Sequence, residues 1–282
     1  MSESGAPILS HKHYHAPSLF APEGLLREAR RQKGLGETRV PEVCVLDPDG
    51  DLVRHLLATG RAHRSGEWAC YHTELHCFAH ENIEFGIVGL AVGAPFAVLV
   101  AEELFASGCR LLVSVTSAGQ IASDRDPPYF VLIERALRDE GTSYHYLPSS
   151  DYSEADRGLI DLVEKALSRA GIPVERGATW TTDAPFRETA GAIEACEARG
   201  VIAVEMEAAA LYAFSRARGV PVVCFAYVTN QLGRLSGDFE KGEAEGARHA
   251  LDVVFAAARS WIEVQRRSGQ AGFGEEHRWR PS

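Results

Sequence analysis

Short runs of β-branched and apolar residues alternate along this chain with longer stretches of helical periodicity, and no other feature narrows the fold as far. Candidate strands fall at 43–46, 83–89, 111–115, 129–133, 178–181, 201–204 and 221–228. Candidate helices fall at 95–107, 154–170, 188–199, 206–218 and 243–266. Gly108, Gly171, Gly200 and Gly219 each close a helical run, where a left-handed stop residue belongs. Such alternation predicts an α/β fold with a central sheet flanked by helices, and ligands of such folds gather where strand ends meet loops.

Within 282 residues the only candidate linkers are the ends. Residues 1–40, rich in His, Pro and Arg, read as an irregular N-terminal arm, 41–266 as one domain, and 267–282 as a flexible C-terminal tail. A formal charge of −10 argues against nucleic acid or an anionic membrane as partner, since either needs a basic surface. Six cysteines without a CxxC pair, several in apolar segments, read as reduced buried thiols and a cytoplasmic location. The N-terminus lacks the basic and apolar regions of a secretory signal. The uncharged run at 85–101 is broken by glycines and Pro95, and reads as strand, turn and helix rather than a membrane span.

One stretch breaks the apolar pattern. In "VIAVEMEAAAL", residues 201–211, two carboxylates flank a methionine where a core is expected to be continuous. A buried carboxylate is costly unless something pairs with it. If 201–204 is a strand and a helix follows, Glu205 and Glu207 lie at the sheet's edge, either as helix-start acids favoured by the dipole or as acceptors for adjacent sugar hydroxyls. "VEMEAAAL" resembles the signature of the nucleoside phosphorylase family, which includes purine nucleoside and uridine phosphorylases and nucleosidases. The resemblance extends over roughly residues 40 to 265 and implies a single-domain nucleoside-phosphorylase-type fold with a central mixed sheet. It implies that Glu207 binds ribose hydroxyls, that Met206 packs on the sugar, and that Glu205 supports them.

Three further blocks carry the resemblance. "AEELFASGCRLLVSVTSAGQI", 101–121, is similar to the family's helix, strand and small-residue loop, which makes Ser114, Ser117 and Gly119 the acceptor loop for water or phosphate. "VTNQ", 228–231, puts Asn230 where the family holds the leaving base. An amide cannot protonate a purine, but it can hold a 6-oxopurine or pyrimidine through donor and acceptor together. "TWTTDAPFRET", 179–189, falls at the family's base pocket, with Phe186 for stacking and Arg187 or Asp183 for a polar contact. Asp183 equally suits a turn and Arg187 a surface.

The first loop departs from the family. Where its phosphorylases read Gly-Asp-Pro-x-Arg, this chain has "LDPDG", so Leu46 and Gly50 replace the two phosphate-binding residues, and Ser114 replaces a second arginine. A third falls near Gly66, with Arg61 and Arg64 close by in sequence. Loss of the bidentate arginines favours water as acceptor, and by position the nucleosidase base falls at Asp51, itself a plausible turn residue in "DPDGD". "HTELH", 72–76, lacks the zinc-helix order; the resemblance makes it a strand with His72, Glu74 and His76 on one face, and no metal or cofactor is expected. One of His11, His13 and His15 is a candidate to reach a neighbouring subunit's site, since the family forms homo-oligomers, dimer-based and up to hexamers. The expected function is N-glycosidic cleavage of a ribonucleoside by water, with a phosphate-dependent enzyme or a non-catalytic nucleoside-binding protein as rivals.

Overall fold

A computed structural model describes residues 6–122, 125–232, 241 and 243–271. In chain order the elements are α1 (Pro22–Lys33), β1 (Val43–Asp47), α2 (Asp51–Ala58), β2 (Ala62–Arg64), β3 (His76–His80), β4 (Ile83–Gly89), α3 (Ala94–Ala106), β5 (Leu111–Gln120) and β6 (Tyr129–Asp139). They continue as α4 (Ser143–Tyr146), β7 (Tyr152–Glu154), α5 (Arg157–Arg169), β8 (Val174–Thr182), α6 (Ala190–Glu197), β9 (Val201–Glu205), α7 (Ala208–Arg218), β10 (Val222–Asn230) and α8 (Ala247–Ala271). The strands form one mixed sheet in the order β10-β6-β8-β9-β5-β1-β4-β3-β2, with β7 against β6. Because β10 also pairs with β5, strands β5, β9, β8, β6 and β10 close on themselves as a small barrel, and β1, β4, β3 and β2 run out from it as an open sheet.

The strands read as continuous apolar runs because helices cover both faces. Alternate side chains divide between two cores. Cys44, Leu46, Leu112, Cys224, Ala226 and Val228 pack with α3 and α7. Val43, Val45, Leu111, Val113, Val223 and Phe225 pack with α2, α5 and α8. That split is the period-two signature of a pleated strand buried on both sides. All six cysteines are buried and unpaired by disulfides.

Every predicted strand and helix is present, with most strands longer than the apolar run that announced them. The four predicted stop glycines all adopt positive φ. The arm is less irregular than its composition suggested: α1 starts at Pro22, ends on left-handed Gly34, and buries Leu26 and Ala29 completely. Two buried residues among six charged ones make too narrow a stripe for periodicity to announce. The "HTELH" segment differs too, since β3 begins only at His76, leaving His72 and Glu74 exposed in the preceding loop. α8 runs five residues beyond the predicted 266, and the rest of the expected tail, 272–282, lies outside the described residues. Among the described residues no helix is long and apolar enough to cross a membrane.

Candidate active site where two strands part from a third

The site follows from how β5 changes partners. One edge of β5 is paired with β10 along most of its length, from Leu112 to Gly119. The other edge pairs with β1 only as far as Ser114, and β9 reaches it only at Gly119 and Gln120. Between these, Val115 to Ala118 face a gap, with the end of β1 entering from one side and the end of β9 from the other. Backbone groups in such a gap need other partners. One of them, the Ser117 N–H, donates to Asp49 Oδ2 at 2.7 Å.

The β9 side carries the two glutamates, and their surroundings differ. Glu205 is buried, and both its oxygens are filled. Oε1 accepts the hydroxyls of Thr179 at 3.1 Å and Thr181 at 2.5 Å, while Oε2 accepts the N–H groups of Glu207 and Ala208, each at 2.7 Å. Glu207 is equally buried, but its Oε1 takes the Gly93 N–H at 2.7 Å and its Oε2 has no partner among the described residues. Gly93 precedes α3 at φ 89° and ψ 148°, a conformation restricted to glycine, so its N–H reaches the carboxyl only with that residue there. Burial pushes both acids up; for Glu207 burial, then the neighbouring Glu205 charge, raises its pKa to about 8. Met206, half-buried, lies between them.

The β1 side is acidic as well. Asp47 ends the strand, is buried, and accepts the Val53 N–H at 2.9 Å, yet burial raises its pKa to about 7. Gly50 then turns the chain at φ 75°, which separates Asp49, half-buried over β5, from Asp51, the first residue of α2. Asp51 is held by Arg54 and by Lys241, the latter at 2.5 Å. A Cβ on Gly50 would meet Leu90 Cδ2 at 2.8 Å and an Arg54 guanidinium nitrogen at 3.0 Å, so the place of the family's arginine is already filled.

On the β10 side, Asn230 stands opposite Gly119. Its Oδ1 accepts the Leu232 N–H at 2.9 Å, and its amide nitrogen lies 3.3 Å from the Thr229 hydroxyl and 3.5 Å from the Ala118 carbonyl. A Cβ on Gly119 would fall 2.1 Å from Leu232 Cδ2, so the glycine is what lets the Leu232 side chain lie over β5.

The structure thus brings Ser117, Gly119, Glu205, Met206, Glu207 and Asn230 to one place. Ser114 sits deeper, buried in β5 level with Leu46. Phe186 is 99% exposed, Arg187 is exposed, and Asp183 accepts the Gly141 N–H at 2.9 Å. The arm packs on its own chain, Lys12 Nζ standing 2.8 Å from His145 Nδ1. Reading the sequence passed over Asp49, Gly93, Thr179 and Thr181. A carboxylate two residues before Asp51 and paired threonines in a predicted strand were the available signals, but each acquires meaning only through a distant partner.

Residues 42–259 match the phosphorylase superfamily. A uridine phosphorylase of Thermococcus kodakarensis is 25% identical over 246 residues, which cover 78% of this chain and 88% of that protein. A DeoD-type purine nucleoside phosphorylase of Bacillus cereus is 27% identical over 150 residues, 52% of this chain and 63% of that protein. Among solved structures, a uridine phosphorylase of Vibrio fischeri has a TM-score of 0.67 at 20% identity, covering 80% of this chain and 92% of that one. A purine nucleoside phosphorylase of Toxoplasma gondii, in complex with immucillin-H, has a TM-score of 0.68 at 15% identity, covering 81% and 93%. At these identities the structural matches speak for the fold.

Proposed function

The chain belongs to the phosphorylase superfamily, and from that premise we propose that it is an enzyme cleaving the N-glycosidic bond of a ribonucleoside with water as the acceptor. The observation that carries the choice of water is the Asp49 carboxylate on the Ser117 N–H. That N–H belongs to the part of β5 where the sequence suggested an acceptor loop, and its partner is an anion the chain supplies itself. Phosphate brought to about 4 Å from Asp49 would meet a repulsion of roughly 4 kcal/mol per pair of charges at an effective dielectric near 20. Asp47 and Glu207 lie near enough to Asp49 to feel its charge. Water has no such penalty, and a half-buried carboxylate beside it is a suitable general base.

In this reading Glu207 and Met206 hold the sugar, Ser117 orients the water, and Asp49 takes its proton. Asp51, the base expected from position in the sequence, has one carboxylate oxygen on Arg54 and the other on Lys241, so both are already engaged. The oxocarbenium-like ribosyl forms beside this acidic wall, which stabilises developing positive charge. Asn230 holds the departing base, and its amide favours a 6-oxopurine or a pyrimidine. No cofactor takes part. A dimer-based homo-oligomer remains part of the proposal.

One observation favours phosphate instead: Arg54 lies over Gly50, so a guanidinium has returned to the first loop from one helical turn away. The deciding test is a mass-spectrometric screen of purine and pyrimidine nucleosides with and without phosphate. Free base and ribose independent of phosphate are expected. Ribose 1-phosphate formed only with phosphate would overturn the hydrolytic reading, and binding without turnover would overturn catalysis.

A further inference from the structure

The two buried acids of "VEMEA" are too close to carry two charges cheaply. We propose that Glu205, locked by Thr179 and Thr181, is a positioning residue that keeps the negative charge of the pair and leaves the proton on Glu207, so that Glu207 offers a sugar hydroxyl an O–H donor. The role at the sugar rests on the active-site reading above; the assignment of the proton rests on the hydrogen bonds alone.

Those bonds leave little choice. Thr181 and Glu205 are cross-strand neighbours on β8 and β9. The Thr181 oxygen accepts the Ala209 N–H at 2.9 Å, so its own proton points elsewhere, to Glu205 Oε1 at 2.5 Å. Thr179 donates to the same oxygen, and two backbone N–H groups fill Oε2. Four donors on four lone-pair sites leave no room for a proton on Glu205. A carboxylate so surrounded keeps its charge even when buried. Glu207 has one backbone donor, with the Thr116 hydroxyl nearby, and its Oε2 makes no hydrogen bond among the described residues, so the proton shared by the pair is placed there.

The surroundings of Glu207 point the same way. It faces Glu205 from β9, Asp49 from the loop after β1, the Thr116 hydroxyl from β5 and the Cys224 thiol from β10. Around Glu205, Tyr212 and Cys224 are neutral, their protons held by burial. None of these groups, all among the described residues, is a cation, so none of them would offset a second negative charge. With its proton in place, Glu207 can donate to one sugar oxygen.

Infrared difference spectroscopy reads the proton directly and without substrate. At pH 7 the difference between wild type and Glu207→Gln is expected to show the carbonyl stretch of one protonated carboxylic acid beyond that of Asp47, which both share, and this band should fade as pH rises through about 8. In Glu205→Gln the neighbouring charge is gone, so the band should fade about one pH unit lower or more. Thr181→Val should shift it in the same sense by less, and Thr181→Ser should restore it. Should Glu205→Gln not fold, the two Thr181 variants make the same comparison. The alkaline limb of kcat/KM for nucleoside cleavage should move with the band. A spectrum of Glu207→Gln at pH 7 that matches the wild type in this region overturns the proton assignment, whether or not any nucleoside is cleaved. A limb that stays fixed while the band moves overturns the role at the sugar. Failure of every nucleoside to react, with the band behaving as described, sinks the active-site reading and leaves the pair's proton where we place it.

Discussion

The two sides of the gap in β5 are both built from carboxylates, yet they have been treated in opposite ways. On the β9 side, Glu207 keeps a bare oxygen held in place by a glycine N–H and by a second acid whose bonds are complete. On the β1 side, the acids are occupied: Asp47 on the Val53 N–H, Asp51 between Arg54 and Lys241, and Asp49 on the Ser117 N–H. The first arrangement has an unmet demand for a ligand's hydroxyl. The second has filled an anion's place with the chain's own anion. A buried unpartnered carboxyl costs stability, and such a cost is most readily explained where a ligand relieves it.

The comparison breaks most readily at Glu207. Removing it as Glu207→Ala should lower kcat/KM by about 100- to 1,000-fold, the size of a lost hydrogen bond to developing charge. Near-normal turnover would mean that the bare oxygen is not facing the sugar. The milder Glu207→Gln should raise Tm, since it deletes a strained buried acid. Its pH dependence has a definite sign. Glu207 binds its proton more tightly folded, with a pKa near 8, than unfolded, near 4.5, so stability falls as pH rises between those values, by up to roughly 1.4 kcal/mol per pH unit. Asp47, raised to about 7, adds to the slope in the lower part of that window. Melting curves from pH 5 to 8.5 (about the window's width) should show a shallower slope in Glu207→Gln than in the wild type. Parallel slopes would place the titration elsewhere.

Asp49→Asn comes next. As general base its loss should cost about 100-fold in hydrolysis, measured as release of free base. Because the variant also removes the internal anion, added phosphate should become a competitor or a weak acceptor where it has no effect on the wild type. An unchanged hydrolytic rate would return Asp49 to a purely structural role.

What the sequence disclosed and what it withheld divide along the same line. The central strands were legible because burial on both faces makes runs such as 43–46 and 221–228 apolar throughout. Glu205 and Glu207 stood out because they interrupt such a run. Nothing in the linear order separates their roles, because the difference lies in Thr179 and Thr181, 26 and 24 residues away and aligned only by the β8–β9 register. In "DPDGD" the acids alternate, and only the left-handed turn at Gly50 decides that Asp49 enters the gap while Asp51 begins a helix. The resemblance to nucleoside phosphorylases pointed to residues 114–119 as the acceptor segment; it could not show that Asp49 holds the Ser117 N–H there.

Smaller effects test the occupied side. Gly50→Ala should destabilise by about 1–2 kcal/mol for the left-handed backbone alone, and by more because its Cβ meets Leu90. Gly60→Ala is the control: its φ is 66°, but nothing lies within 4 Å of the added methyl. Equal losses of Tm in the two variants would mean that Leu90 yields and that the loop has room for a larger residue.

The smallest effect decides which aspartate does the chemistry. In Asp51→Asn the ion pairs with Arg54 and Lys241 are lost, but Arg54 still donates to the Asp49 carbonyl and Asp49 still holds the Ser117 N–H. The expected rate loss is therefore several-fold, at least tenfold less than in Asp49→Asn, with a stability change of about 1 kcal/mol or less. The reverse order, with Asp51→Asn the crippled variant, would restore the base to the start of α2 and leave Asp49 as an internal guard against anions. Even then an anion approaching the Ser117 N–H would meet a carboxylate first, because it is Asp49, not Asp51, that accepts it.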